Sequence, residues 1–336
     1  MLYMEKLLYS IKELDICEGS IEIAPFQGEM CTVFHARSNT YGELVIKTAL
    51  RAMQLSEEGQ NEIQQNKEGY GCIPSGFRPE IFASDRENTF LVMPNVGKPL
   101  RDLLWENQNS PETSERIVGI FLENLSRLLR NTKTQDIEAR NVFLNQLQKM
   151  GQIFLQSDFF PSQLREKFIF LIDHLRQSDD SAVSFATLDL TQGNLLINTK
   201  HFPNTLKVID PKKPRLVGGR PTFLGISEVD LGMFFITLSL NAPEAVQNLR
   251  IEDRLKIIGH GLRDNVDMSN FSFELGKLFG CILVASFPNS LERVGIYLRS
   301  LGVNYDDDIK NLVIMERERH VQKAIKITDC IDINHL

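Results

Sequence analysis

The chain is poor in the residues that build disulfide frameworks and zinc sites. Its five cysteines (Cys17, Cys31, Cys72, Cys281 and Cys330) are an odd number in 336 residues, with no C-x-x-C spacing, so neither construction is suggested. Reduced, buried thiols are the expectation. The six histidines fall in no metal-ligand pattern. Long apolar runs are also missing. The longest, Leu231 to Leu240 and Leu278 to Phe287, are about half of the roughly 20 residues that span a bilayer. The first residues carry Glu5 and Lys6 and no small-residue cleavage site, so no secretory signal is expected. These absences predict a cytoplasmic protein without membrane attachment. Positive charge is in deficit as well: the net charge is −7, which argues against binding a nucleic-acid backbone and suits a cationic or neutral small substrate. Internal repeats and low-complexity tracts are absent, and oligomeric state has no signature.

What is present points to two lobes. A chain of 336 residues exceeds what one core usually organises, and 42% hydrophobic residues suffice for well-formed cores. Leu7, Leu8, Ile11 and Leu14 recur at helical spacing. From Ser20 to Ala49 the pattern becomes alternating and β-branched, in SIEIAPF, CTVFHAR and ELVIKTA, which predicts a three-stranded antiparallel meander. Two further strand-like pieces, Glu80 to Ser84 and Thr89 to Met93, precede the breakers Pro94, Asn95, Gly97 and Pro99. Such a cluster reads as a hinge. The domains predicted are residues 1–97, with an N-terminal helix and a small antiparallel sheet, and residues 98–336, largely helical. Segments 116–133 and 165–177 carry helical periodicity, residues 211–227 read as an irregular loop rich in Pro and Gly, and 243–265, 272–301 and 305–328 read as closing helices. The fold class is α+β.

The stretch SFATLDLTQGNLLINTKHFPNTLKVID, residues 184 to 210, concentrates polar residues between apolar runs. Asp189 and Asn194 stand five apart on a turn, Leu195 to Ile197 reads as a short buried strand, and a second strand from Leu206 ends at Asp210. A hairpin would bring Asn194 and Asp210 to one end. An amide oxygen and a carboxylate there would suit magnesium, which takes oxygen ligands and keeps waters and phosphates in its shell. Lys47, between apolar residues near a strand end, requires an anion, since burying an unpaired ammonium costs several kcal/mol.

D-x-x-x-x-N followed by I-D resembles the catalytic loop and metal-binding strand of protein-kinase-like enzymes, in particular the aminoglycoside and choline phosphotransferase branch. The resemblance implies a two-lobed kinase-like fold with a small antiparallel-sheet N-lobe and a larger helical C-lobe. It implies an ATP-dependent phosphotransferase that moves the γ-phosphoryl group to a hydroxyl of a small-molecule acceptor. Lys47 would position the α- and β-phosphates, and Glu62, chosen over Glu58, would hold Lys47. Gly28 would let the first turn approach the phosphates, and backbone near Met93 to Asn95 would meet adenine. Asn194 and Asp210 would hold magnesium, and Asp189 would orient or deprotonate the acceptor. Asp230, in Glu228-Val229-Asp230-Leu231-Gly232, would brace the catalytic loop. The departure is Thr187 and Leu188 where the family has His-Gly. That loss, with a single glycine in the first turn, supports an alternative: a pseudokinase that binds a nucleotide or a partner protein. A further alternative keeps catalysis and changes the acceptor to a protein or the transferred group to a nucleotidyl moiety.

Overall fold

The computed structural model describes residues 14–17, 20–23, 31–51, 54–178, 180–191, 193–198, 206–241, 249–286 and 306–330. Two compact units make up the chain. One comprises Met1–Leu100 and Gly193–Phe223, the other Arg101–Gln192 and Leu224–Leu336.

In the first unit the alternating segments form strands β1 (Glu22–Ile23), β2 (Thr32–Ser38), β3 (Gly42–Thr48), β4 (Leu50–Arg51), β5 (Gln54–Leu55), β6 (Ala83–Ser84), β7 (Phe90–Pro94) and β8 (Lys98–Pro99). Strands β1, β2, β3, β7 and β6 lie in that order in one antiparallel sheet. The expected meander is therefore extended by the two pieces that follow it in sequence. Register pairs Val45 with Met93 and Lys47 with Leu91, so these side chains share one face. Leu44, Ile46 and Val92 take the other face, in a core with Ala36 and Phe90. Helix α1 (Glu57–Cys72) starts at Ser56, whose hydroxyl accepts the Gly59 N–H at 2.9 Å. Glu57 and Glu58 occupy its first turn, where the helix dipole favours negative charge.

The hinge residues lead into β8, which pairs with β11 (Leu195–Ile197); β11 pairs on its other edge with β12 (Leu206–Val208). Gly97 has φ +136°, and a Cβ there would sit 2.4 Å from the Ile197 carbonyl oxygen. Only glycine permits that approach. Strands β13 (Arg215–Val217) and β14 (Arg220–Thr222) make a hairpin through Gly218 and Gly219, both at positive φ. Two features thus depart from the sequence reading. Residues 211–227 are not wholly irregular, because the glycine pair is a two-residue hairpin turn rather than a breaker. Gly193–Phe223, read with residues 98–336, belongs to the first unit, because β8 and β12 occupy both edges of β11.

The second unit contains α2 (Leu100–Glu106), α3 (Pro111–Thr132), α4 (Ile137–Phe154), α5 (Ser162–Gln177), α6 (Ser227–Asn241), α7 (Ile251–His260), α8 (Val266–Ser286) and α9 (Asp306–Cys330). A small sheet orders β15 (Leu224–Gly225), β10 (Ala182–Phe185) and β9 (Thr134–Gln135). The periodic segments at 116–133 and 165–177 fall in α3 and α5, while α4 was legible only as part of a helical stretch. Helix α6 is buried almost all round, and Phe234 on it stacks against Phe121 of α3 with ring centroids 5.0 Å apart. The expected helix over residues 7–14 has only Leu14 within the described residues. Cys17, Cys31, Cys72 and Cys281 are free thiols, and burial pushes Cys31 and Cys281 up to about 12, where they are unreactive. Among the described residues no helix is long and apolar enough to cross a membrane.

Candidate active site

Lys47 is buried on β3, and three acceptors meet its ammonium. Nζ lies 2.5 Å from Glu62 Oε1, donates to Asn66 Oδ1 at 2.9 Å and donates to Asp210 Oδ1. An ammonium has three donors, so the group is fully satisfied without a ligand. Burial alone would lower the Lys47 pKa, but the Asp210 and Glu62 carboxylates outweigh it and raise it above its ordinary value. Burial would likewise raise Asp210, and Lys47 reverses this, holding that carboxyl below its usual range. Because Lys47 and Glu62 contact each other directly, they should act as a unit. The double Lys47→Ala, Glu62→Ala variant should cost less in nucleotide affinity than the two single costs summed, with a coupling of about 0.5–3 kcal/mol. Strict additivity in calorimetric titrations would remove Glu62 from its assigned role.

Helix α1 supplies more than Glu62. Asn66 and Tyr70 follow at one-turn intervals on the same stripe, and both are buried. Asn66 accepts from Lys47 and donates through Nδ2 to the Pro211 carbonyl at 2.9 Å. The Asp210 N–H donates to the Tyr70 hydroxyl at 3.2 Å. Asp210 has φ +53°, a left-handed conformation that costs a residue with a Cβ about 1–2 kcal/mol. Asn66 and Tyr70 hold the backbone on both sides of that bend. Neither residue was singled out in the sequence; their i+4 and i+8 spacing from Glu62 is the signal that would have found them. Asn194 and Asp210 close the same end of the β11–β12 hairpin, where the Ile209 N–H donates to the Asn194 carbonyl at 2.9 Å.

In the second unit Asp189 follows a tightly held turn. The Thr187 N–H donates to Asp230 Oδ2 at 2.5 Å, and the Leu188 N–H donates to Asp230 Oδ1 at 2.9 Å. Thr187 Oγ1 donates to Asp230 Oδ2 at 3.2 Å and accepts from the Asp189 N–H at 3.1 Å. Leu188 is buried and left-handed, with φ +59°. The position that the sequence resemblance aligns with a glycine thus has the backbone shape glycine favours, in spite of its side chain. Asp230 itself sits in the first turn of α6, next to a buried ion pair between Glu228 Oε1 and Arg263 Nε at 2.6 Å. Arg263 also pairs with Asp180, so the start of α6 is fixed from two sides. Replacing Asp230 with Ala would leave two buried N–H groups without their acceptor, at about 1–3 kcal/mol each. Denaturant unfolding of Asp230→Ala should therefore show a loss of about 2–6 kcal/mol; a loss under about 1 kcal/mol would mean the turn holds itself.

Of the remaining expected site residues, Met93 is buried and shares the sheet face of Lys47. The Asn95 N–H already donates to the Glu43 carbonyl at 2.8 Å, so that donor is not open to a base edge. Outside that set, in the loop after Asp210, Lys212 and Lys213 are exposed, whereas Arg215 is buried. Gly28 lies outside the described residues.

No protein-family model matches the chain, and no curated protein matches it in sequence. Solved structures do match. Choline kinase from Cryptosporidium parvum has a TM-score of 0.53 at 13% identity, covering 97% of this chain and 96% of that one. A macrolide 2'-phosphotransferase type I has a TM-score of 0.50 at 10% identity, covering 85% and 91%. The chain has the protein-kinase-like fold that these two share.

Proposed function

We propose that the protein is a phosphotransferase that moves the γ-phosphoryl group of ATP to a hydroxyl of a small-molecule acceptor. The observation that carries this reading is the convergence on Lys47 of Glu62 from α1 and Asp210 from the strand end after β12. A strand lysine paired with a helix carboxylate, with a second carboxylate near it for the metal, is the arrangement that positions a nucleotide's phosphates in kinase-like folds. A phosphate reaching Lys47 must replace one of its three acceptors. Asp210, whose side chain is 39% exposed against 21% for Glu62, is the one with room to turn away.

Asn194 and Asp210 fit a magnesium ion by their chemistry. Both offer hard oxygens, Asp210 is held ionised, and among the described residues no group of three or more His, Cys, Asp or Glu competes for the cation. When bound, the cation supplies charge neutralisation of the phosphates. Lys47 orients the nucleotide, Glu62 and Asn66 orient Lys47, and Tyr70 fixes the backbone of Asp210. Asp189 accepts the acceptor's hydroxyl proton or aligns that hydroxyl, and Asp230 holds the turn preceding it. The protein kinds joined by this fold act on small molecules according to their names, choline kinase and macrolide 2'-phosphotransferase; a small-molecule acceptor is the matching proposal here.

The pseudokinase reading draws on Thr187 and Leu188 in place of His-Gly. The four bonds tying that turn to Asp230 supply the order an imidazole would contribute, so the substitution does not by itself argue for inactivity. Mass spectrometry of a metabolite extract incubated with the protein and Mg-ATP tests the proposal. A phosphate-sized mass gain on one metabolite supports it. Magnesium-dependent nucleotide binding without any phosphorylated product, from metabolites or protein extract, would replace it with the pseudokinase.

A further inference from the structure

The first unit contains a cavity of about 680 Å³ whose walls include Tyr70, Ser75, Arg78, Glu80, Pro94 and Lys207. Its size falls within the range of small-molecule sites, about 300–1,000 Å³. It is separate from the nucleotide residues discussed above: Lys47, Glu62, Met93, Asn194 and Asp210 are not among its walls. Register explains the separation. Met93 shares a sheet face with Lys47, while Pro94 pairs with Leu44 on the opposite face.

Two cations face this cavity with spare donors. Lys207, on β12, donates one bond, to the Gly76 carbonyl at 3.1 Å; an ammonium has three donors. Arg78 donates through one terminal nitrogen to the Tyr70 carbonyl, and a guanidinium has five N–H groups. Partial burial lowers the Lys207 pKa, the mark of a cation lacking a counter-charge. The Ser75 hydroxyl adds a further donor, and the exposed Glu80 supplies one carboxylate against the two cations. A pocket with net positive charge stands out on a chain whose net charge is −7. An arginine fork and a lysine point charge lining one cavity match a phosphate group.

We infer that this cavity is a second ligand site, for a phosphorylated small molecule, distinct from the nucleotide site. Arg78 and Lys207 bind the phosphate, and Glu80 takes a hydroxyl or amine of the same molecule. Tyr70 belongs to both regions. It is one of the cavity's wall residues, its carbonyl accepts from Arg78, and its hydroxyl accepts the Asp210 N–H. Occupancy of the cavity therefore bears on the backbone of Asp210. This second half of the inference rests on the metal-binding role proposed for Asp210; the first half does not.

Equilibrium dialysis of the full chain against radiolabelled inorganic phosphate, and separately against glycerol 3-phosphate, tests the site. Lys207→Gln should weaken binding of both about tenfold or more, the loss expected for one charge-assisted hydrogen bond. Lys213→Gln, at an exposed lysine outside the cavity walls, should leave this binding within about twofold. A tighter dissociation constant for glycerol 3-phosphate identifies a phosphate ester as the ligand class; preference for the free ion overturns that assignment. Equal binding by wild type and Lys207→Gln, or an equal loss in Lys213→Gln, overturns the site. Arg78→Lys keeps the charge and removes the fork, so it should weaken binding without unfolding the chain; unchanged affinity there counts against the phosphate geometry. Saturating glycerol 3-phosphate should also shift Mg-nucleotide affinity in wild type and not in Tyr70→Phe, since coupling between two sites is reciprocal. An equal shift in both variants removes Tyr70 as the link while leaving the site standing.

Discussion

Replacing Asp189 with Ala should lower turnover by about 10²–10⁴-fold, the range for a positioned general base, and leave Mg-nucleotide affinity nearly unchanged. The reasoning begins with the turn before it. Thr187 and Leu188 are tied through their N–H groups to the buried Asp230 carboxylate, and the Asp189 N–H is tied to the Thr187 hydroxyl. The backbone at Asp189 is thus fixed whatever its side chain, and the Ala variant keeps every one of these bonds. Its effect should therefore fall on the reacting group alone. Phosphoryl transfer depends mainly on positioning and electrostatic stabilisation, so a residual rate should remain. Steady-state kinetics on an identified acceptor give the answer. Full turnover in Asp189→Ala would end the catalytic assignment, and an equal loss of nucleotide affinity would move Asp189 to nucleotide binding.

Asp210→Asn should abolish measurable turnover and weaken Mg-nucleotide binding, because an amide of the same shape lacks the charge that holds a cation against phosphates. Calorimetry showing equal, equally magnesium-dependent affinity in wild type and variant would remove Asp210 from the metal site. The same variant carries a pH signature. Lys47 keeps the folded-state pKa of Asp210 depressed, so the stability this carboxylate contributes is fully present above the unfolded-state value of about 3.9 and is lost as pH falls through the lower folded value. Lys47 is shifted upward. Its contribution is full below the unfolded-state value of about 10.4 and is lost only as pH rises through a still higher one. The stability gap between wild type and Asp210→Asn should therefore be flat from about pH 5 to 9 and close under acid conditions. A gap that changes near neutrality would point to another titrating group.

The parts of the site that are legible in sequence are those where chemistry and spacing coincide. Asp189, Asn194 and Asp210 are polar residues interrupting apolar strands, and the length of the segments between them leaves little choice but a turn and a hairpin. Lys47 is legible because a charged residue in an apolar strand demands an explanation. Asn66 and Tyr70 are not, since an amide and a phenol on an amphipathic helix have no periodic signature of their own; only the position of Glu62 tells which stripe faces Lys47. The αL backbone of Leu188 is hidden for a related reason. Leucine gives no hint of positive φ, and the conformation is held by Asp230, 42 residues away. Breakers mark a crossing near residue 100, but the return of Gly193–Phe223 depends on β8 pairing with β11, and the two residues of β8 leave no pattern to read.

That return has a consequence for how the protein is made. The first unit is assembled from two stretches separated by nearly a hundred residues of the second, and its central ion pair joins Lys47 to a residue 163 positions later. During synthesis, residues 1–100 emerge with β8 lacking its partner strand and Lys47 lacking Asp210. An ammonium waiting in a half-built core is costly to bury, which favours an open, late-closing first unit over one that finishes early. Order of emergence and order of completion are therefore opposed in this chain. The earlier stretch of the first unit is completed only when the β11–β12 hairpin arrives to pair with β8 and to supply Asp210.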